Sequence, residues 1–167
     1  MNLMNNPTAS PYRILFVCLG NICRSPAAEV ICRACLQRAG LADKVQVDSC
    51  GTASYHTGSK PDSRMIAALH RAGFTYDGHR ARTLCRADAD RFDLIIPQDE
   101  ENRRDILAAL PASAAAKVVP MSHWFSPGER LREVPDPYYG GERDFDAVVA
   151  LLAAAMPRLL QDICPRG

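Results

Sequence analysis

The sequence predicts a single α/β domain with a small parallel sheet held between helices, and three observations point there. Short apolar runs rich in Val, Ile and Phe recur at 12–17, 45–48, 92–96 and 117–120. Stretches with apolar residues at helical spacing separate them, at 26–39, 62–72 and 99–110. Between the two kinds of segment fall Gly, Pro, Asn and Asp, which punctuate rather than extend regular structure. A strand-helix alternation of this kind builds parallel sheets whose strand ends carry the ligand site.

The first run, Tyr12-Arg13-Ile14-Leu15-Phe16-Val17, leads directly into Cys18-Leu19-Gly20-Asn21-Ile22-Cys23-Arg24-Ser25-Pro26. It reads as strand, tight loop and helix start, with Ser25 as N-cap and Pro26 in the first turn, where a missing N–H costs nothing. The helix continues through Val30, Ile31, Ala34, Cys35 and Leu36 and stops at Gly40. Val45 to Asp48 alternates as a second strand, and 51–61 reads as a loop carrying Tyr55 and His56. Asp62 then caps a helix with Met65, Ile66 and Leu69 inward and Gly73 as its stop. Phe92 to Ile96 is a third strand, Asp99 to Leu110 a helix, and Lys117 to Pro120 a short fourth strand. Residues 144–163 form a long apolar-striped helix that Pro157 is expected to kink or split. Residues 1–11 read as a flexible tail ahead of a domain spanning 12–164.

Composition narrows the function. A formal net charge of +1 gives no sign of a nucleic-acid or membrane partner. Seven cysteines, an odd number, in a chain with no secretory signal suit free thiols in a reducing cytoplasm. Cys32 and Cys35 have a metal-like spacing, but no second pair completes a site, so no metal or other cofactor is expected.

The chemistry concentrates in residues 18–25. Backbone N–H groups of Leu19, Gly20, Asn21, Ile22 and Cys23 can converge on one point if Gly20 or Asn21 takes a positive φ. With the helix N-terminus and the fork of Arg24, such a curl cradles a tetrahedral oxyanion. The same field favours a thiolate at Cys18, and a thiolate beneath a bound phosphate is a nucleophile. The Cys-Arg spacing alone is weak, since it also occurs at Cys32–Arg38 and Cys85–Arg91. The former pair lies in a helical pattern without Gly, and the latter encloses Asp88 and Asp90, which repel a phosphate. A second segment, Val134-Pro135-Asp136-Pro137-Tyr138-Tyr139, sets Asp136 on a loop stiffened by two prolines. A carboxylic acid so held could protonate the leaving oxygen of a phosphate ester.

Val17 to Pro26 resembles the signature loop of the low-molecular-weight protein tyrosine phosphatases, and Asp136-Pro137-Tyr138-Tyr139 resembles that family's acid loop. Ser49-Cys50-Gly51-Thr52 with Tyr55-His56, and His79-Arg80-Ala81-Arg82, are similar to two further family segments; the latter is assigned to structure rather than chemistry. The family usually has Ala-Met-Asp where this chain has Pro97-Gln98-Asp99. The resemblance covers nearly the whole chain after residue 11. It implies a flavodoxin-like fold with four parallel strands and helices on both faces, and hydrolysis of phosphotyrosine through a cysteinyl phosphate. It casts Cys18, Arg24 and Asp136 as catalytic, residues 19–23 and Ser25 as the phosphate loop, and Tyr55, Tyr138 and Tyr139 as pocket walls. It also implies that Ser49 hydrogen-bonds Asn21, and that a reversible Cys18–Cys23 disulfide protects the nucleophile. The expected partner is a phosphotyrosine-containing protein, acted on by a monomer or weak homodimer. Alternatives on the same scaffold are an arsenate reductase, a phosphoarginine phosphatase, or a phosphate-binding module without catalysis.

Overall fold

Strand β1 (Tyr12–Cys18) is buried along its length except for the partly covered Arg13, which explains why it reads as a continuous apolar run rather than an alternation. A computed structural model describes residues 10–164. β1 is the middle strand of a three-stranded sheet, between β2 (Val45–Gly51) and β3 (Leu94–Pro97), and pairs parallel with both. Alternate residues of β1 feed two cores. Tyr12, Ile14 and Phe16 join the larger core, whose helices are α1 (Arg24–Arg38), α2 (Ser63–Arg71) and α5 (Glu142–Ile163). Leu15 and Val17 face the smaller core with the short α3 (Asp88–Arg91) and α4 (Glu100–Ala109). Helices therefore cover both faces of the sheet, in chain order β1-α1-β2-α2-α3-β3-α4-α5.

The expected fourth strand does not form. Val118 makes one isolated parallel bridge to Ile95, and Val119 N–H donates to the Ile95 carbonyl at 3.0 Å. A 3₁₀ turn ends at Lys117 and another begins after Pro120, which has no N–H to offer, so two residues remain for the ladder. β2 runs farther than expected, through Ser49, Cys50 and Gly51, which pair with Phe16, Val17 and Cys18. That extension carries β2 up beside the loop after β1.

The helix boundaries moved in two places that matter. α1 begins at Arg24 with Cys23 as N-cap, so Ser25 lies inside the first turn and its hydroxyl is free for other work. Residues 21–32 are all buried, so this helix has no single inward stripe at its N-terminal half. α5 is not split at Pro157. The proline sits on the exposed face, and Ala153, whose carbonyl it leaves without the helix N–H, is only partly buried. The cap at Asp62 falls as expected. Asp62 accepts from Arg64 N–H at 2.9 Å, and Asp99 forms a capping box with Asn102. Of the tail expected over 1–11, residues 1–9 lie outside the described residues; Ser10 and Pro11 lead irregularly into β1. Among the described residues no helix is long and apolar enough to cross a membrane.

Replacing Pro157 by Ala restores a helix N–H on an exposed face. It should raise unfolding stability by about 1–3 kcal/mol. A urea midpoint unchanged or lowered in Pro157→Ala would show that the proline is accommodated without cost.

Candidate active site

β1 lies between β2 and β3, so the connections to its neighbours leave on opposite sides, and its carboxyl end is where α/β sheets place ligands. The chain turns there through residues 19–23 into α1. Asn21 alone takes the left-handed conformation, at φ 58°, and Gly20 does not. Gly20 is required for space instead: a Cβ there would lie 2.9 Å from the His56 ring.

Asn21 is fully buried, and its side chain is held from both ends. Nδ2 donates to Ser25 Oγ at 2.8 Å and to Ser49 Oγ at 3.0 Å. Oδ1 accepts from Arg82 N–H at 3.0 Å and lies 2.9 Å from His79 Nε2. Behind them Ser49 donates to buried Glu29 at 2.7 Å, and Glu29 meets His79 Nδ1 at 3.3 Å and Arg33 at 2.6 Å. The His79–Arg82 segment thus braces the loop, in keeping with a structural assignment.

The end of β2 closes the loop from the side. Thr52 and Ala53 N–H donate to the carbonyls of Cys18 and Leu19, both at 2.9 Å, and Asp62 N–H to that of Ile22 at 2.8 Å. These bonds turn the carbonyls outward. Among the described residues the N–H groups of 19–23 take no partner, which leaves them free to face an anion. Gly51 makes the approach possible, since a Cβ there would sit 2.6 Å from the Leu19 carbonyl oxygen. The resemblance includes Gly51 in a family segment but does not give this role, because the contact is between segments distant along the chain.

Cys18 Sγ lies at the base of this curl, 2.9 Å from Ser25 Oγ. Ser25 has one hydroxyl proton and a second candidate acceptor, the Cys50 carbonyl at 3.3 Å. The Arg24 guanidinium is buried and fixed by Asp99 at 2.5 Å and by the Val134 carbonyl at 3.1 Å, with Asp136 3.8 Å away. Burial works against its charge, but Cys18, Asp99 and Asp136 outweigh that and hold its pKa above the ordinary value. Asp99 therefore caps α4 with one oxygen and orients Arg24 with the other. The Pro97-Gln98 departure leaves that aspartate in place, with Gln98 buried beside it and its Oε1 without a partner among the described residues.

A cavity of about 200 Å³ opens above Cys18. Cys23, Arg24 and Asp136 reach it, and Tyr55, Tyr138 and Tyr139 form its rim. Tyr139 is 94% exposed and packs edge-on against Tyr138. His56 belongs to the same wall, beside Tyr55 in the segment that resembles the family's. Burial, then the Asp62 charge, push the Cys23 thiol far up, so it stands neutral beside Cys18. Glu29, Asp48 and His79 bring ligand atoms within 4.8 Å of one another, a spacing that suits a metal ion. Arg33 and Arg82 already pair with both carboxylates, so a cation there would have to displace two guanidinium groups.

Comparison with known proteins agrees with this geometry. The family model described as low molecular weight phosphotyrosine protein phosphatase matches residues 13–165. A Synechocystis sp. protein named provisionally for that class is 47% identical over 90% of this chain and 96% of its own. The low molecular weight phosphotyrosine protein phosphatase of Schizosaccharomyces pombe is 42% identical over 80% of this chain and 85% of its own. A crystal structure of a protein tyrosine phosphatase from Entamoeba histolytica, with Hepes in its active site, superposes with a TM-score of 0.87. It is 38% identical and covers 91% of this chain and 96% of that one. A match running from β1 through α5, at such identities, places this chain in the low molecular weight phosphotyrosine protein phosphatase family.

Proposed function

We propose that this protein hydrolyses phosphotyrosine monoesters in two displacements at Cys18, with no metal. The observation that carries this reading is the Cys18 sulfur at the floor of a pocket ringed by free amides, Arg24 and, opposite, Asp136. Cys18 attacks phosphorus in line, forming an S–P bond as the P–O bond to the phenol breaks. The loop amides and the Arg24 fork hold the equatorial oxygens where charge develops. Asp136 gives its proton to the departing phenolate, then takes one from the water that cleaves the S–P bond and releases phosphate. Ser25, turning its proton from the Cys50 carbonyl toward sulfur, eases the departure of the thiolate. Tyr55, Tyr138 and Tyr139 flank the aromatic leaving group.

The alternatives lose ground here. A reductase relay needs cysteines that can reach Cys18, whereas Cys85 and Cys164 lie outside the pocket. Ile22, on the pocket wall, offers an apolar surface suited to a phenyl ring rather than to a guanidinium ester. A simple binding module has no need of a thiol or of an acid at 3.8 Å from Arg24. Residues 12–164 act as one phosphatase domain behind a short tail, in the cytoplasm, as a monomer or weak dimer acting on phosphotyrosine-containing proteins. Peroxide converts Cys18 to a sulfenic acid, and the Cys23 thiol then displaces water to form a disulfide that a thiol reductant reopens.

With EDTA present, hydrolysis of p-nitrophenyl phosphate should vanish in Cys18→Ser and fall about 10²–10⁴-fold in kcat in Asp136→Ala. Persistent turnover in Cys18→Ser would end the cysteinyl-phosphate reading. Gly51→Ala should keep the far-UV spectrum yet weaken inhibition by inorganic phosphate about tenfold or more, some 1.4 kcal/mol, because its Cβ pushes on the Leu19 carbonyl. After peroxide, dithiothreitol should restore the wild type but not Cys23→Ser. Because the Cys23 thiol is held high, disulfide closure should quicken as pH rises; equal recovery in both proteins would remove Cys23 from the scheme.

A further inference from the structure

A second and larger cleft, about 510 Å³, lies away from the reaction pocket along the open side of β2. It runs along the outer edge of that strand, which carries no neighbour there except the bridge of Gly51 to Thr83, and its walls come from α1 and from the end of α3. Three arginines line it: Arg13 from β1, Arg33 from α1 and Arg91 from α3. Arg33 is committed to Glu29 and Asp77. Arg13 and Arg91 have no carboxylate partner for their guanidinium groups among the described residues; Asp93 takes the Arg13 backbone N–H instead. Asp48 also lines the cleft, but its charge is met by Arg82. Between the arginines the wall is apolar, with Leu36, Val47 and Phe92.

Two unpaired guanidinium groups facing one concave, partly apolar space make an anion site with room for more than the anion. The volume lies within the roughly 300–1,000 Å³ of small-molecule pockets, and planar donor forks suit phosphate oxygens. An extended acidic peptide adding to the strand edge fits less well. Arg33 already occupies the Val47 carbonyl at 2.7 Å, Asp48 the Ser49 N–H at 2.8 Å, and residues 82–84 the Gly51 position. We propose that the cleft between β2, α1 and α3 binds a small phosphorylated metabolite, its phosphate held by Arg13 and Arg91 and its body laid against Phe92. This site is separate from the reaction pocket and does not depend on the reading given for it.

The test uses ADP and pyrophosphate as probes, with EDTA, followed by backbone amide shifts in the ¹⁵N-labelled protein. Both probes should move the amides of Arg13, Gln46, Val47 and Phe92, with ADP the tighter of the two. In Arg13→Gln/Arg91→Gln the dissociation constant read at those amides should rise at least about tenfold. Arg91→Gln alone, at an exposed position that puts the fold at little risk, should raise it about threefold. Arg33 is left intact because it also supports Glu29 behind the catalytic loop. Turnover of p-nitrophenyl phosphate without probe should be the same in all three proteins. Shifts confined to residues 18–25 and the rim tyrosines, an unchanged constant in both variants, or no shift up to about 10 mM probe would overturn the proposal.

Discussion

The site depends on one buried side chain holding its own backbone in the left-handed region. Asn21 at φ 58° carries a local cost of about 1–2 kcal/mol. Each net hydrogen bond contributes about 0.5–1.5 kcal/mol, and Asn21 engages Ser25, Ser49, His79 and Arg82 through its one amide group. The sum exceeds the strain, so the curl is the stable state of the empty loop. The amides of 19–23 are therefore pre-arranged in the empty loop, and a ligand that met them would spend no binding energy on shaping them.

That arrangement makes the interior polar cluster intelligible. Glu29 is a buried carboxylate on a helix otherwise sunk in the apolar core, and alone it would be costly. It is met by Arg33, Ser49 and His79, so its charge is compensated while it fixes the two residues that fix Asn21. The cluster extends from the surface at Asp77 through Arg33 to the loop. It belongs to the support of the site, and its arginines leave little for a metal.

Arg24 is positioned by a different logic, that of the sheet. Asp99 follows the end of β3, and the Val134 carbonyl belongs to the segment that leads into Asp136. Val134 N–H donates to the Gln98 carbonyl at 2.8 Å, which ties the acid loop to the end of β3. One guanidinium group thus connects the loop after β1, the end of β3 and the segment of Asp136, so that Cys18 and Asp136 are held in register across more than a hundred residues of sequence.

Local pattern was enough to read the strand-loop-helix of 12–38 and the cap at Asp62, because backbone sterics and capping act between near neighbours. It was not enough for the fourth strand, where Lys117 to Pro120 has strand-like residues but is hemmed by two 3₁₀ turns. Nor could it show what Gly51, His56 and Asp99 touch. Their importance lies in contacts with Leu19, Gly20 and Arg24, segments that meet only when the sheet is assembled. The sequence by itself determined the residue types the chemistry needs and the local turn that presents them. The tertiary structure decided which distant groups close on that turn, because close packing and the pairing of buried charge are properties of the assembled core and not of any stretch of chain.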